Sequence, residues 1–371
     1  FLVPFESSLY LSQVTQGAPL SVRRGLELKL RETVPRGHVA LVHLIVQAGG
    51  EVDRQSFYVD AAPYQFEARS SGLELSVATN GKLGYADYNR PLASSGVGFR
   101  RTGEAASSLF FGSLLIGTGP DQLLDAVQAF LPLPRVQDFR PRDEGGAVPV
   151  RIVDGADGWT TTTMRYRSAF RDDGLSVHVD QEVFAHDDAE RGDFLLSRWR
   201  VTPNALDPRT SGDPAAPVWR GVHLGLLMDW SASGIGEVVH TDALTRTQWA
   251  APRPGADDGR WVGARWLDSD ATFRAAHFDA VGPREGGTSA WMIDLDDLGR
   301  AMPDSMLWSV LAPDAREATA REGNVVGVGG VGPLPAVPLG STAEMVVALS
   351  IADTRAALFD ALDRAEIAWS S

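Results

Sequence analysis

Residues 175–201 read LSVHVDQEVFAHDDAERGDFLLSRWRV, and this stretch decides the fold class. Val177, Val179 and Val183 alternate with polar neighbours, as a strand with one buried face requires. After an acidic turn the alternation resumes at Leu195, Trp199 and Val201. Two such runs joined by a short polar turn predict an antiparallel pair.

Working outward, the same period recurs along the chain. TTTTMRYRSAF precedes the pair, and RGVHLGLLMDW, RWVGARWL, ATFRAAHFDA and AEMVVALSIA follow it. Nearer the start, Leu26, Leu28 and Leu30 alternate, and a turn at Pro35 and Gly37 leads to Val39, Leu41, His43 and Ile45. RQSFYVD reads as a further strand. GLELSVATNGKLGYADY reads as a hairpin, with Asn80-Gly81 supplying the positive φ angles of its turn. Only two segments have a helical stripe. GPDQLLDAVQAFL places Leu123, Leu124, Val127, Phe130 and Leu131 on one face behind Pro120. DTRAALFDALDRAEIAW does the same with Leu358, Ala361, Leu362, Ala365 and Trp369, with Asp353 as N-cap.

The expected class is therefore mainly β: an antiparallel two-sheet sandwich capped by a few helices, one of them C-terminal at 353–369. Leu195, Trp199, Val201, Leu224 and Leu226 are expected in its interior. Residues 1–61 read as an Ig-like β segment that need not be complete, and 62–371 as the large sandwich. Prolines in LPLPRVQDFRPRDEGG (131–146) mark a linker, and 202–217 reads as a long loop.

Composition narrows the function. The 371 residues are 44% hydrophobic, enough for a substantial core, and carry a formal net charge of -14. That charge argues against nucleic acid as a partner, and the arginines read as scattered. With no cysteine, disulfides, thiolate metal sites and cysteine nucleophiles are excluded. No run of about eighteen apolar residues is present, so no membrane span is expected. The start, FLVPFESSLYLSQV, lacks Met and a basic leader region, and reads as a processed or excised end.

Three stretches imitate chemistry. REGGTSAWM (284–292) looks like a serine-protease nucleophile loop around Ser289. However, the next residues alternate like a strand, and none of the seven histidines lies in a His-Gly-Thr context. GVGGVG satisfies G-x-G-x-x-G at Gly327, Gly329 and Gly332. Prolines 333, 335 and 338 forbid the helix a dinucleotide site needs, leaving a flexible Gly/Pro loop as the expectation. HDDAERGD places Asp187, Asp188 and Asp193 in one turn, and DGADG places Asp154 and Asp157 in another. These are either solvated turn aspartates or, for Asp187, Asp188 and Asp193, ligands of a structural calcium. Trp230 after Asp229 could form a sugar-stacking platform, although the tryptophans mostly read as sheet packing. No catalytic residue and no other cofactor is assigned.

Taken in order, several segments resemble one family pattern. It is the non-catalytic region downstream of the protease domain in secreted bacterial subtilisin-like serine peptidases. The matching segments are TVPRGHVALVHLIVQAGGEVDRQSFYV, SLFFGSLLIGTGPDQLLDAV, Asp138-Phe139, DQEVFAHDDAERGDFLLSRWRV, VHLGLLMDW and VPLGSTAEMVVALSIADTRAALFDALDRAEIAW. Ser231-Ala232 replace the second aspartate usual after Asp-Trp, which weakens a cation site there, and no sorting module follows Trp369. The resemblance implies a bacterial secreted or surface accessory module that stabilises, positions or anchors a peptidase or larger assembly. Two further readings stay open: a self-assembling extracellular subunit that pairs edge strands with other copies, and a carbohydrate-binding sandwich holding a glycan.

Overall fold

The structure is a computed structural model. It describes residues 38–48, 51–62, 65–84, 96–126, 138–142, 150–155, 157–168, 176–203, 218–230, 237–252, 259–267, 272–279, 304–312, 321–323, 325–338 and 340–371. In chain order the early strands are β1 (His38–Ala48), β2 (Glu51–Ala62), β3 (Gln65–Arg69), β4 (Leu73–Ala78), β5 (Lys82–Gly84), β6 (Phe99–Arg101), β7 (Leu109–Gly119), β8 (Gln122–Asp125) and β9 (Phe139–Pro141). Next come β10 (Val150–Asp154), β11 (Trp159–Ser168), β12 (Val177–His186), β13 (Phe194–Pro203), β14 (Val218–Trp219), β15 (His223–Trp230), β16 (Glu237–Asp242), β17 (Thr247–Ala251), β18 (Trp261–Leu267) and β19 (Phe273–Asp279). Helix α1 (Asp304–Leu311), β20 (Arg321–Gly323), β21 (Val325–Val331), β22 (Val337–Pro338), β23 (Ala343–Ala352) and helix α2 (Arg355–Ser370) complete the order.

Two large antiparallel sheets face each other. One runs β10-β11-β12-β13-β23-β18-β17-β16-β20, with β9 also paired to β11. The other runs β19-β21-β15-β7-β5-β4-β3, with β6 on β4 and β8 on β7. Period-two alternation sends one set of side chains from each sheet into a shared core. Leu195, Trp199, Val201, Leu224 and Leu226 all lie there, as their spacing predicts, beside Trp230, Trp266 and Val347. The opposite faces carry the helices. Leu307 and Leu311 of α1 cover Phe111, Leu115, Leu227, Val326 and Val328. Leu358, Leu362 and Ala365 of α2 cover Phe194, Leu196, Trp249 and Val346. The result is the mainly β sandwich with a C-terminal helix that the sequence predicts.

Four local expectations are corrected. The GPDQLLD segment is not helical: Gln122–Asp125 is β8, turned back onto β7 so that Gly119 opposes Gln122. Pro120 sets the same φ at the head of a helix as at the first corner of a tight turn, and here it serves the turn. Val127 to Leu131 lie outside the described residues. Of the segment read as a linker, 131–146, the structure describes 138–142, where Phe139 is fully buried and β9 pairs with β11. The N-cap of α2 is Thr354, not Asp353; its Oγ1 accepts from Ala357 N at 3.1 Å. The Asn80-Gly81 turn needs only one left-handed residue, Gly81 at φ 80°, because a Gly81 N to Ala78 O bond closes the preceding corner.

The fourth correction is GVGGVG, which is not a loop. It supplies β21, an inner strand between β19 and β15. Val326 and Val328 point at α1, while Gly327 and Gly329 face the other sheet. A Cβ on Gly329 would sit 2.2 Å from the Trp266 ring, and one on Gly327 would sit 2.2 Å from Gln248 Oε1. The glycines are holes for knobs from the facing sheet. Of the expected Ig-like segment, the structure describes the β1–β2 hairpin, with His38 opposite Ala62 and Ala48 opposite Glu51. Ser289 and residues 204–217 lie outside the described residues.

The Trp266–Gly329 fit makes a prediction. Gly329→Ala should cost roughly 1–3 kcal/mol in urea unfolding, because a rigid buried indole must move. Gly119→Ala, where an added Cβ meets nothing within 4 Å, should cost well under half of that. In the Gly329→Ala background, Trp266→Phe should be less damaging than in the parent chain. Additive costs would mean that the two residues do not share this contact.

Candidate functional site

The acidic turn comes first, because its aspartates are the expected metal ligands. At the end of β12, the His186 ring stands edge-on to Trp159, with centroids 4.8 Å apart. Asp188 N donates to its Nδ1 at 2.9 Å, so Nε2 carries the hydrogen and donates to Asp157 O at 3.0 Å. Asp188 Oδ1 accepts from Glu190 N at 2.9 Å, closing the turn. Ser70 Oγ donates to Gly192 O at 2.6 Å, and Ser71 Oγ donates to Asp188 O at 3.0 Å. Asp193 is ion-paired with Arg364 of α2; burial, opposed by that guanidinium, raises its carboxyl above the ordinary range.

The turn thus clasps the β3–β4 corner of one sheet to the β12–β13 corner of the other. Asp187 is exposed, Asp188 caps its own turn and Asp193 reaches α2. The three are not gathered as ligands, and among the described residues no group of three or more His, Asp or Glu side chains could hold a metal ion.

The Asp229-Trp230 pair is interior. Trp230 is fully buried in the sandwich and has no face to offer a sugar; Asp229 is 2% exposed on the side of α1. Nearby strands bury Lys82, Ser113, Asp125 and Asp138, none more than 6% exposed. Asp125 N donates to Asp138 Oδ2 at 3.0 Å, and Ala126 N donates to Ser113 Oγ at 2.8 Å. These bonds tie Asp138, just ahead of β9, to the end of β8, and the end of β8 to β7. Further along this face, His223 lies edge-on to Trp308, with Nδ1 donating to Gly221 O at 2.9 Å.

The surface that the sequence reading missed is made of arginine. FRPR, MRYRS and SRWRV each contain Arg-x-Arg, which period two places on one face of a strand. β9 and its extension supply Arg140 and Arg142, β11 supplies Arg165 and Arg167, and β13 supplies Arg198 and Arg200. Register aligns Arg140, Arg167, His178 and Thr202 in one cross-strand row. The next row is Arg165, Asp180, Arg200 and Glu344, and the third Thr163, Glu182, Arg198 and Val346. These rows are on the outer face, beside α2 and opposite the core.

Acids stand between the arginines. Glu182 Oε2 accepts from Arg198 Nε and from Arg200 Nη2, each at 2.7 Å. Asp180 Oδ1 lies 3.6 Å from Arg142 Nη2 and 3.7 Å from Arg165 Nε. Arg200 Nε lies 3.8 Å from Glu344. Arg198 also sits 5.4 Å from the ring centroids of both Phe184 and Trp369, so the lattice joins the foot of α2. Among the described residues, six guanidinium groups and three carboxylates share this face, on a chain whose net charge is -14. Guanidinium groups are planar donors whose geometry matches carboxylates, as the Arg198 and Arg200 bonds to Glu182 show.

No protein-family model matches the chain, and no curated protein matches it. Among solved structures, it is similar to a family GH92 inverting mannosidase from Bacteroides thetaiotaomicron at a TM-score of 0.33 and 8% identity. That match covers 81% of this chain and 29% of the mannosidase, so the chain spans less than a third of that protein's length. Among the described residues no helix is long and apolar enough to cross a membrane.

The buried histidine gives the site a pH test. Burial pushes the His223 imidazole below its ordinary value, reinforced by Arg274, and among the described residues its Nε2 has no hydrogen-bond partner for a second proton. The unfolded chain therefore takes up the proton first as pH falls through about 6.5, and the stability present above that pH is lost below it. Measured by urea unfolding, stability should fall between pH 7.5 and pH 5. His223→Gln should flatten that slope by up to about 1.4 kcal/mol per pH unit. An unchanged slope would show that the ring is already free to protonate.

Proposed function

We propose that this chain is a non-catalytic accessory module, exported from a bacterial cell, that positions or anchors a peptidase or a larger assembly. One observation carries the reading. The chemistry-like motifs that fall among the described residues are spent on packing or turn closure, whereas the arginine lattice is laid out on an outer sheet face. Gly327 and Gly329 receive side chains from the facing sheet, Asp188 caps a turn, Asp193 pairs with Arg364, and Trp230 is enclosed. The resemblance to regions downstream of subtilisin-like protease domains supports the same role.

Mapping the native polypeptide by intact mass and terminal peptides tests it. The reading predicts that Phe1 is preceded by further chain bearing a protease domain. The purified chain should also leave chromogenic peptide and glycoside panels uncleaved. A mature end at Phe1 on an abundant assembled species would replace the accessory role with that of a self-assembling subunit. Turnover of any panel member that is abolished by substituting residues of this chain would overturn both.

A further inference from the structure

We propose that α1 is an acid-released cover: protonation of His223 unseats the helix and bares the apolar sheet face beneath it. Two knobs seat α1 on that face. Leu311 fills a notch left by Gly225 of β15 and Gly330 of β21, where added Cβ atoms would lie 2.5 and 2.8 Å from its Cδ1. Trp308 fills a second notch over Gly117 of β7, where an added Cβ would lie 2.9 Å from its ring. His223 opposes Gly117 across the β15–β7 pair, and its ring stands edge-on to Trp308 with centroids 5.0 Å apart. The second knob therefore rests against an ionisable side chain.

That side chain is held for one charge state. His223 is 2% exposed, and its Nδ1 donates to Gly221 O, so the neutral ring carries a lone pair on Nε2. Nε2 has no hydrogen-bond partner among the described residues. A second proton placed there would be a buried, charged and unpaired donor, which burial penalises far more than a neutral group. The residues packed on the ring bring no compensating charge. β7 supplies Gly117 and α1 supplies Trp308, while Gly332, just past β21, lies so close that an added Cβ would meet the ring Cδ2 at 2.3 Å. Among the described residues the charge that acts on the ring is Arg274 of β19, and it too opposes protonation.

A protonated ring must reach water, and the weakest wall gives way. β15 is an inner strand, paired to β7 on one side and β21 on the other, and Gly332 N donates to Thr272 O at 3.1 Å. α1 has eight residues, too few to persist as a helix on its own, so its seat on the sheet is what fixes it. Its release would uncover Phe111, Leu115, Leu227, Val326 and Val328. The sign follows from linkage: a ring that takes up the proton only when α1 is off favours the open state as pH falls. With an ordinary value of about 6.5 in the open state, acidifying from about pH 7.5 to about pH 5 multiplies the open population about thirtyfold.

Hydrogen exchange on the whole chain at these two pH values, corrected for the intrinsic pH dependence of exchange, tests the switch. Opening of the peptide that covers α1 should rise about thirtyfold in acid, while peptides covering β15 and β21 keep their protection. Binding of a hydrophobic dye should rise over the same range. In His223→Gln both changes should disappear. His223→Asn, whose amide can keep a donor toward Gly221 O, should do the same and stands in where glutamine disturbs the fold. Opening of α1 that is equal at the two pH values, or that rises as steeply in both variants as in the parent chain, would overturn the proposal. So would loss of protection in β15 and β21 together with α1, because acid would then loosen the sandwich as a whole. None of these outcomes depends on what precedes Phe1, so the accessory role stands or falls separately.

Discussion

The contact on which the structure rests is Trp266 seated over Gly329. Two sheets packed face to face stand about 10 Å apart and must fill that space with side chains from both inner faces. Trp199, Trp230 and Trp266 are large, rigid and fully enclosed, and they can be accommodated only where the opposite strand gives way. β21 gives way with glycine at 327 and 329. Its valines at 326 and 328 then turn to the other side, where α1 closes over them. The same device recurs under that helix: a Cβ on Gly117 would meet Trp308 at 2.9 Å, and one on Gly225 would meet Leu311 at 2.5 Å. Glycine on one layer and bulk on the next set the spacing of all four layers.

Several polar groups taken inside are given partners, as burial demands. Tyr166 Oη donates to Gln181 Oε1 at 3.1 Å within the sandwich, and burial drives the phenol far above its ordinary range. Arg265, 3% exposed, donates through Nε to Thr247 Oγ1 at 3.0 Å and pairs with Asp363 and Glu366 of α2. The clasp at 186–193 does the same for backbone groups at one end of the sandwich. Among the described residues, Asp188 and Asp193 of the acidic turn are consumed in this way.

Strands with one buried and one partly exposed face were legible from the sequence through period two, as β11 and β12 show, whereas β23 is buried on both faces and reads as a near-continuous apolar run. β8 was not, since Leu123 and Leu124 fit a helical stripe as well as alternation, and only the pairing of Gly119 with Gln122 decides between them. β21 was hidden for a different reason. Glycine lowers strand propensity locally, and the demand for it comes from Trp266, more than sixty residues away. The arginine lattice was partly visible as three Arg-x-Arg pairs. Their convergence depends on β12 lying between β11 and β13 with Asp180 and Glu182 in register, which no single segment reveals. The aspartates of the acidic turn were placed in the right loop, but the fates of Asp188 and Asp193 were set by turn closure and by α2.

Hydrogen exchange by mass spectrometry on the free chain tests the central claim, that the strands packed around the Trp266–Gly329 contact form a closed interior while β10 ends its sheet in the open. Peptides covering β15, β21 and β23 should exchange slowest, in keeping with global opening, whereas amides of β10 should exchange orders of magnitude faster. Protection of β10 equal to that of β15 in the free chain would contradict the account, because the edge would then already be covered.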